Sequence, residues 1–219
     1  WLHRQGGARA GARGALNRLA GELACDRIAL ELLARGNRGE RLLATMVQGH
    51  LGNPEAIAPL KALVRTRDRL LSMHASAALV QSDPNLAAQE MAPALVFDGL
   101  WPVREVVAVL YQARQYCEPV LAGMLPGTPG QHLPRLLQVM EGLRISLPPA
   151  QLAPLLRHDS VDVLICVLRV VASPVLRRDV VGLVGHADWR VRMHAARALG
   201  RLALRDDVPL LTKLLSDRE

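Results

Sequence analysis

The sequence predicts an all-α protein built as a stack of small helical units, because it repeats itself at a fixed interval. The segment 73–79 returns as 193–199, 120 residues later, and residues 44–68 align without a gap over residues 195–219. A chain with such a period is a series of stacked repeats rather than one globule around a pocket. With Ala195 as an anchor, equivalent positions recur about every 30 residues. They are Ala44, Ala75, Val107, Leu137 and Val167.

Each unit is predicted to be a helical hairpin, because apolar residues recur at helical spacing between short polar or Pro/Gly breaks. Residues 1–13 lack this periodicity and are expected to be a linker or a frayed N-terminal segment. Residues 14–219 are expected to form about six helical pairs with flanking half-repeats. The predicted helices span residues 14–23, 24–36, 38–51, 54–66, 68–81, 84–97, 100–113, 116–126, 130–144, 148–157, 160–172, 175–186, 188–203 and 206–217.

The helix starts have local causes. Asn53, Asp83 and Ser173 each place a capping side chain before a proline at the first helical position, where no N–H is needed. Asp188 places a carboxylate at a helix start, where the helix dipole favours it. Residues 127–130 are the longest break and are expected to form a loop.

Columns of the repeat separate core from surface. We expect the six anchors to be buried between layers, together with the columns of His194 and Ala198, which lie four residues apart on one face. The columns of Arg197 and Arg201 are expected to face outward at the two ends of the stack. The two buried columns contain Leu43, His74, Val106, Leu136 and Cys166, and Val47, Ala78, Leu110, Met140 and Val170.

The repeated motif resembles a known family. Leu-x-x-Leu-Leu-x-Asp followed by Trp-x-Val-Arg-x-x-Ala-Ala-x-Ala-Leu-Gly is similar to the HEAT repeat in its short-period bacterial, PBS-lyase-like form. The resemblance is best over residues 41–81 and 180–219, fair over 98–114 and weak over 116–174. It implies a right-handed α-solenoid of HEAT-like hairpins. It implies little about function, since similar repeats serve scaffolds, adaptors and a few enzymes.

Arg41, Arg104 and Arg192 occupy one column of the motif. In HEAT repeats an arginine here commonly joins a hydrogen-bonded ladder with aspartates of neighbouring layers. Other residue types interrupt the column in this chain, so the resemblance implies a broken ladder. We therefore expect a structural role for these arginines rather than ligand binding.

Composition limits the classes of partner. The formal net charge is +7, and only Lys61 and Lys213 of the 27 basic residues are lysines. A basic balance suits an acidic partner, nucleic acid included, where the charge clusters. An arginine bias this strong is also typical of a GC-rich bacterial genome. Aromatic residues make up only 3% of the chain, which argues against a surface that stacks bases.

Cysteine usage and hydropathy bear on location. Three widely spaced cysteines give no disulfide framework, which favours a reducing, cytoplasmic setting. No apolar run reaches the ~18 residues that cross a bilayer. The chain opens on Trp1 rather than Met and is expected to be a fragment of a longer protein, from which a signal or anchor could have been removed.

No motif predicts catalysis. His74, Cys166 and His194 share one column, but no further ligand-type residue joins them as a zinc site would need. There is no phosphate-binding loop and no nucleophile elbow. We therefore expect no enzyme activity, no catalytic residues, no metal and no cofactor.

Two groups of residues are candidates for partner binding. An aromatic cluster lies within residues 97–116 beside two arginines, and it is either an interface hot spot or larger core packing. A second, basic group lies on the outward columns near the C-terminus, where few carboxylates are expected opposite. The residues predicted to bind a partner are Trp101, Arg104, Tyr111, Arg114, Tyr116, Arg169, Arg190, Arg197 and Arg201. The predicted function is a non-enzymatic scaffold or adaptor that presents a rigid curved surface to a protein with an acidic segment; the alternative is a basic groove for nucleic acid or another polyanion.

Overall fold

The structure is a computed structural model that describes residues 14–15, 17–97, 101–202 and 207–214. Within these ranges the chain is helical and contains no β-strand, which confirms the predicted all-α fold. The segment 1–13, predicted to be a linker, lies outside the described residues.

The helices follow the predicted order, with short 3₁₀ turns where several first helices of a pair begin or end. Residues 17–22 are helical. The helices are α1 (Cys25–Arg35), α2 (Arg38–Leu51), α3 (Ile57–Val64), α4 (Arg69–Ser82), α5 (Pro84–Phe97), α6 (Val103–Leu110), α7 (Arg114–Met124), α8 (Leu133–Gly142), α9 (Pro149–Leu155), α10 (Val161–Val170), α11 (Arg177–Gly182), α12 (Trp189–Leu202) and α13 (Val208–Leu214). The 3₁₀ turns are Pro54–Ala56, Tyr111–Ala113, Leu125–Gly127, Pro174–Leu176 and Leu183–Gly185.

Capping side chains fix the starts of the helices that pack most closely. At α2, the Asn37 side chain accepts a hydrogen bond from the Glu40 amide, and the Glu40 carboxylate accepts one from the Asn37 amide at 2.7 Å. At α4, the Asp68 carboxylate accepts bonds from the amides of Leu70 and Leu71. These bonds satisfy donors that the first turn of a helix leaves free.

The described residues form two compact units, of which the first contains residues up to Leu95 and Glu105–Val120. In this unit α1 packs on α2, α3 packs on α4, and α2 lies directly against α4. Each helical pair thus places its second helix beside the second helix of the next pair.

The second unit contains Val96–Arg104 and the chain from Leu121 onward. Here α10 packs between α8 and α12, while α9 contacts α10 and α11 contacts α12. The second helices α8, α10 and α12 form one row, as the repeat predicts.

Five of the six anchors are fully buried: Ala44, Ala75, Leu137, Val167 and Ala195. The expectation that the sixth anchor, Val107, is buried was wrong.

Val107 is only half-buried, and its neighbour Val106 takes the core position with 0% exposure. The buried residues continue at helical spacing through Leu110, Ala113 and Cys117. In the third repeat the buried face of the helix therefore begins one residue before the anchor position that the Trp-x-Val-Arg motif predicts. The large apolar side chains that follow Val106 at helical spacing form this face.

Leu43 is a second correction. It was expected in the seam between layers, but its side chain is 59% exposed. Ala44 and the fully buried Gln48 face the core of this repeat instead, and Gln48 Nε2 donates to the Asp26 carbonyl at 2.8 Å.

Candidate interaction surfaces

The repeated column that contains Arg41 and Arg192 binds main-chain carbonyls at the end of the preceding helix. Arg41 Nη2 donates to the Ala34 carbonyl at 3.1 Å, and Arg192 Nη1 donates to the His186 carbonyl at 3.1 Å. Ser72 occupies the same column, and its hydroxyl donates to the Val64 carbonyl at 2.6 Å. These bonds satisfy carbonyls that the end of a helix leaves free, so the column ties the two helices of a pair together.

Two ion pairs connect the starts of successive second helices in the first unit. Arg38 at the start of α2 pairs with Asp68 at the start of α4 at 2.5 Å, and Arg69 pairs in the same way with Glu105 in α6. The hydrogen bond from Arg38, with the Leu71 amide, lowers the pKa of the Asp68 carboxyl to about 2. Neighbouring layers are thus connected by arginines three residues before the column of the motif arginine.

Large apolar side chains are exposed on α2 and α4, and of these only Met46 lies in a column that the repeat pattern predicts to face outward. Leu43 and Met46 on α2 are 59% and 51% exposed, and Leu70 on α4 is 39% exposed. The spacing of three residues places Leu43 and Met46 on one side of α2. We call Leu43, Met46 and Leu70 the apolar strip. Met46 and Leu70 had a signal in the sequence, because each is a large apolar residue in a column that carries arginine in the last repeat.

Tyr111 is exposed rather than core. Its side chain is 44% exposed, and the Arg114 guanidinium lies over its ring at 5.5 Å from the centroid. Tyr116 is 37% exposed. The turn that contains Tyr111 packs beside α4. Two of the predicted aromatic contacts are thus accessible in the first unit.

Trp101 is a correction to the predicted binding residues, because its side chain is only 4% exposed. The Arg135 guanidinium donates to the carbonyls of Trp101 and Val96 and holds this segment in the second unit. Phe97 contacts His132 edge-on at 5.6 Å between ring centroids. Phe97 and Trp101 therefore serve packing, while Arg104 is exposed.

The predicted basic group lies on α10 and α12, and most of its charges have partners. Arg169 pairs with Glu141 of α8 at 2.9 Å, and Arg190 pairs with Asp188 at 2.9 Å. The expectation of few carboxylates opposite therefore does not hold for Arg169 and Arg190.

Arg201 is also engaged, since its guanidinium donates to the Leu168 carbonyl on the neighbouring helix α10. Partial burial lowers the pKa of Arg201. Arg197 is exposed, and within the described part of the chain it pairs with no carboxylate.

His194 lies among these arginines. Burial, followed by the positive charges of Arg197, Arg169 and Arg201, lowers the pKa of its imidazole. Cys166 in the adjacent layer is buried, which raises the pKa of its thiol, and its Sγ lies 3.7 Å from Gln138 Nε2. Burial thus disfavours the charged form of both side chains, which is the imidazolium of His194 and the thiolate of Cys166. Among the described residues, no three histidine, cysteine or carboxylate side chains come together as a metal site would require.

A cleft of about 440 Å³ opens in the second unit where α8 and α10 end. Arg144 and the ion pair of Arg169 with Glu141 line it together with apolar and hydroxyl side chains. Arg144 has a left-handed backbone conformation, with φ of 56°. Its amide donates to the Glu141 carbonyl, and the next amide, of Ile145, donates to the Met140 carbonyl. This pair of bonds is the Schellman ending of a helix, which normally has glycine where Arg144 lies.

These features define the class of protein. Helical pairs follow one another, their second helices lie side by side within each unit, and ion pairs connect neighbouring layers, which is the architecture of an α-solenoid. Residues 149–219 match the family model for HEAT repeats. Residues 149–219, the C-terminal third of the chain, therefore consist of HEAT repeats, and the remaining described residues share the all-helical architecture.

No curated protein and no solved structure matches the chain. None of the described helices is both long and apolar enough to span a bilayer.

Proposed function

We propose that this protein is a non-enzymatic scaffold that binds a protein partner on the outward faces of its second helices. HEAT repeats commonly mediate protein–protein interaction. The observation that carries the proposal is the apolar strip, in which three large side chains on adjacent helices remain in solvent. Leu43 and Met46 lie on one side of α2, and exposed apolar side chains grouped in this way are typical of interaction sites.

Tyr111 adds to this proposal. It is exposed beside α4, and Arg114 lies over its ring. Tyrosine and arginine are enriched among the residues that contribute most to binding energy. The partner-binding residues that we retain are Arg104, Tyr111, Arg114, Tyr116, Arg169, Arg190, Arg197 and Arg201, with the apolar strip added and Trp101 removed.

Affinity capture from a lysate of the native organism tests the proposal. The double variant Leu43→Glu/Met46→Glu places two charges on the apolar strip without touching the core. Val175→Glu is the matched control, since Val175 is 78% exposed outside the second helices. We expect proteins captured by the wild type and by the control to be lost with the double variant. Capture that is the same for all three chains, with circular dichroism unchanged, would contradict the proposal.

A basic groove for nucleic acid or another polyanion is the competing function. Arg144 and Arg197 are exposed and unpaired within the described ranges, which favours an anionic ligand. Arg169 and Arg190 already have carboxylate partners, which opposes a groove that follows a phosphate backbone. Titration with a single-stranded and a duplex DNA oligomer at several salt concentrations separates the two. Tight binding that falls steeply with salt would favour the groove.

A further inference from the structure

The cleft at the ends of α8 and α10 is a concave surface that is largely open to solvent. Its volume of about 440 Å³ lies in the range of protein clefts that enclose a small ligand or a few side chains. Its walls come from two adjacent second helices and from the segments that follow them. The apolar part of the lining is formed by Ile145, Leu147, Val170 and Ala172.

Arg144 lies at this cleft in a left-handed backbone conformation. Glycine adopts this conformation without cost, asparagine at a small cost, and other residues at a larger cost in free energy. Glycine would end α8 with the same hydrogen bonds and without that cost. A non-glycine residue in such a conformation is a reason to look for a function of its side chain. The guanidinium group is what Arg144 adds here, and it forms no ion pair with any described residue.

The charge around the cleft is positive. Arg144 and Arg169 line it, and Glu141, which pairs with Arg169, is its single acidic lining residue. Arg197 lies one layer further along, and it is exposed. A ligand that complements this arrangement carries a negative charge next to an apolar group.

We infer that this cleft binds an acidic segment of a protein partner, with an apolar side chain of that segment in the cleft and a neighbouring Asp or Glu side chain on Arg144. The hydroxyl groups of Ser146 and Ser173 also line the cleft and supply polar contacts for the main chain of the segment. This inference rests on the proposed function and names the chemistry of the partner. It also assigns a binding role to Arg144, which is absent from the residues predicted from the sequence.

A random-peptide phage library selected on the whole chain provides the probe. We expect the selected peptides to place Asp or Glu next to Leu, Ile or Phe. Affinity of a selected peptide, measured by fluorescence anisotropy, should fall about tenfold or more in Arg144→Glu and should be largely retained in Arg144→Lys. Arg178→Glu is the matched control, since Arg178 is an exposed arginine of α11 that does not line the cleft, and it should change affinity by less than about twofold.

Two variants separate binding from folding. Arg144→Gly removes the guanidinium and the backbone strain together, so peptide affinity should fall while the melting temperature rises. Ala172→Phe fills the cleft without a change in charge and should also abolish binding, whereas Ala150→Phe on the exposed start of α9 should not. Loss of binding in a chain that has become more stable cannot be caused by unfolding.

Several results would overturn the inference. They are a selection that yields no peptide, peptides without acidic residues, affinity that is unchanged in Arg144→Glu, or displacement of the peptide by a DNA oligomer that binds more tightly. Each would leave the scaffold proposal intact if capture of the native partner still depended on Leu43 and Met46, because those residues lie on α2 in the other unit.

Discussion

Gly49 of α2 lies directly against Ala78 of α4. A Cβ atom on Gly49 would lie 2.9 Å from the Ala78 Cα and 3.0 Å from its Cβ, closer than real side chains approach. The two second helices meet here with main chain against main chain, which allows α2 and α4 to pack along their length. Gly200 is the equivalent residue by sequence alignment, and a Cβ atom there would have no neighbouring atom within 4 Å among the described residues.

The same substitution should therefore have opposite effects at these two glycines. Gly49→Ala forces the helices apart and should destabilise the protein by about 1–3 kcal/mol. Gly200→Ala meets no neighbour and replaces a poor helix former, so it should stabilise by up to about 1 kcal/mol. Urea denaturation of both variants measures the difference in the free energy of unfolding. Two changes of the same sign would contradict this packing.

The shifted buried face of the third repeat makes neighbouring valines unequal. Val106→Arg buries an unpaired charge in a fully closed position and should cost about 3 kcal/mol or more, or open the repeat. Val107→Arg can extend its guanidinium into solvent and should cost about 1 kcal/mol or less. Thermal unfolding of the pair, with Ala62→Arg on the exposed face of α3 as the control, distinguishes them. A larger cost at Val107 would restore the register that the sequence alignment predicts.

Acid should remove the contribution of the Arg38–Asp68 pair. The pKa of Asp68 is lowered in the folded chain from about 3.8 to about 2, mainly by the hydrogen bond from Arg38. The ionised carboxylate is thus favoured by folding, so its contribution to stability is present above pH ~4 and is lost as pH falls towards 2. Asp68→Asn should be less stable than the wild type at pH 7, and the difference should shrink between pH ~4 and ~2. Asp159→Asn, at an exposed aspartate, is the control; a difference that stays constant with pH would contradict the assignment.

The positive charge of Arg197 and the aromatic ring of Tyr111 should affect different steps in the binding of the captured partner. Arg197→Glu reverses an exposed charge that no described carboxylate pairs, and it should slow association several-fold at low salt, with little change in dissociation. Tyr111→Ala removes a desolvated contact and should speed dissociation about tenfold. Surface plasmon resonance with the purified partner measures both rates, and Arg178→Glu controls for a general charge effect. If neither rate changes in either variant, these residues lie outside the interface.

Substitution of Arg201 should affect the stability of the protein as well as the binding of a partner. Because its guanidinium is bonded to the Leu168 carbonyl, Arg201→Glu should lower stability as well as binding. Arg197→Glu should leave stability nearly unchanged. A comparison of the two by urea denaturation therefore separates Arg201, which also holds α10 and α12 together, from Arg197, which affects binding alone.

Much of the architecture follows from local chemistry that the sequence displays directly. The recurrence of residues 73–79 at 193–199 predicts equivalent hairpins, and capping residues such as Asp68 and Asp188 mark where their second helices begin. These signals are local because a cap or an apolar spacing acts within one or two turns of helix. The same motif identifies the HEAT repeat, which the match over residues 149–219 supports.

The repeat pattern did not predict which side chains of the candidate interaction surfaces are exposed. Trp101 and Trp189 occupy the same motif position, yet they are 4% and 48% exposed, since Arg135 draws the Trp101 segment into the packing of its unit. Leu43 shares a column with the buried Val106 but lies in solvent. Exposure is decided by small rotations of each helix against its neighbours, and equivalent sequence positions need not share them.

Repetition and helical spacing thus establish which residues form helices and which helices pair, because both depend on contacts close in sequence. Tertiary packing decides which side chains remain available to a partner. Arg169 was predicted to bind a partner, but it forms an ion pair with Glu141 from another helix. Arg144 lines the cleft that forms where α8 and α10 end. These contacts form between residues that are far apart in the sequence, so a local sequence pattern does not predict them.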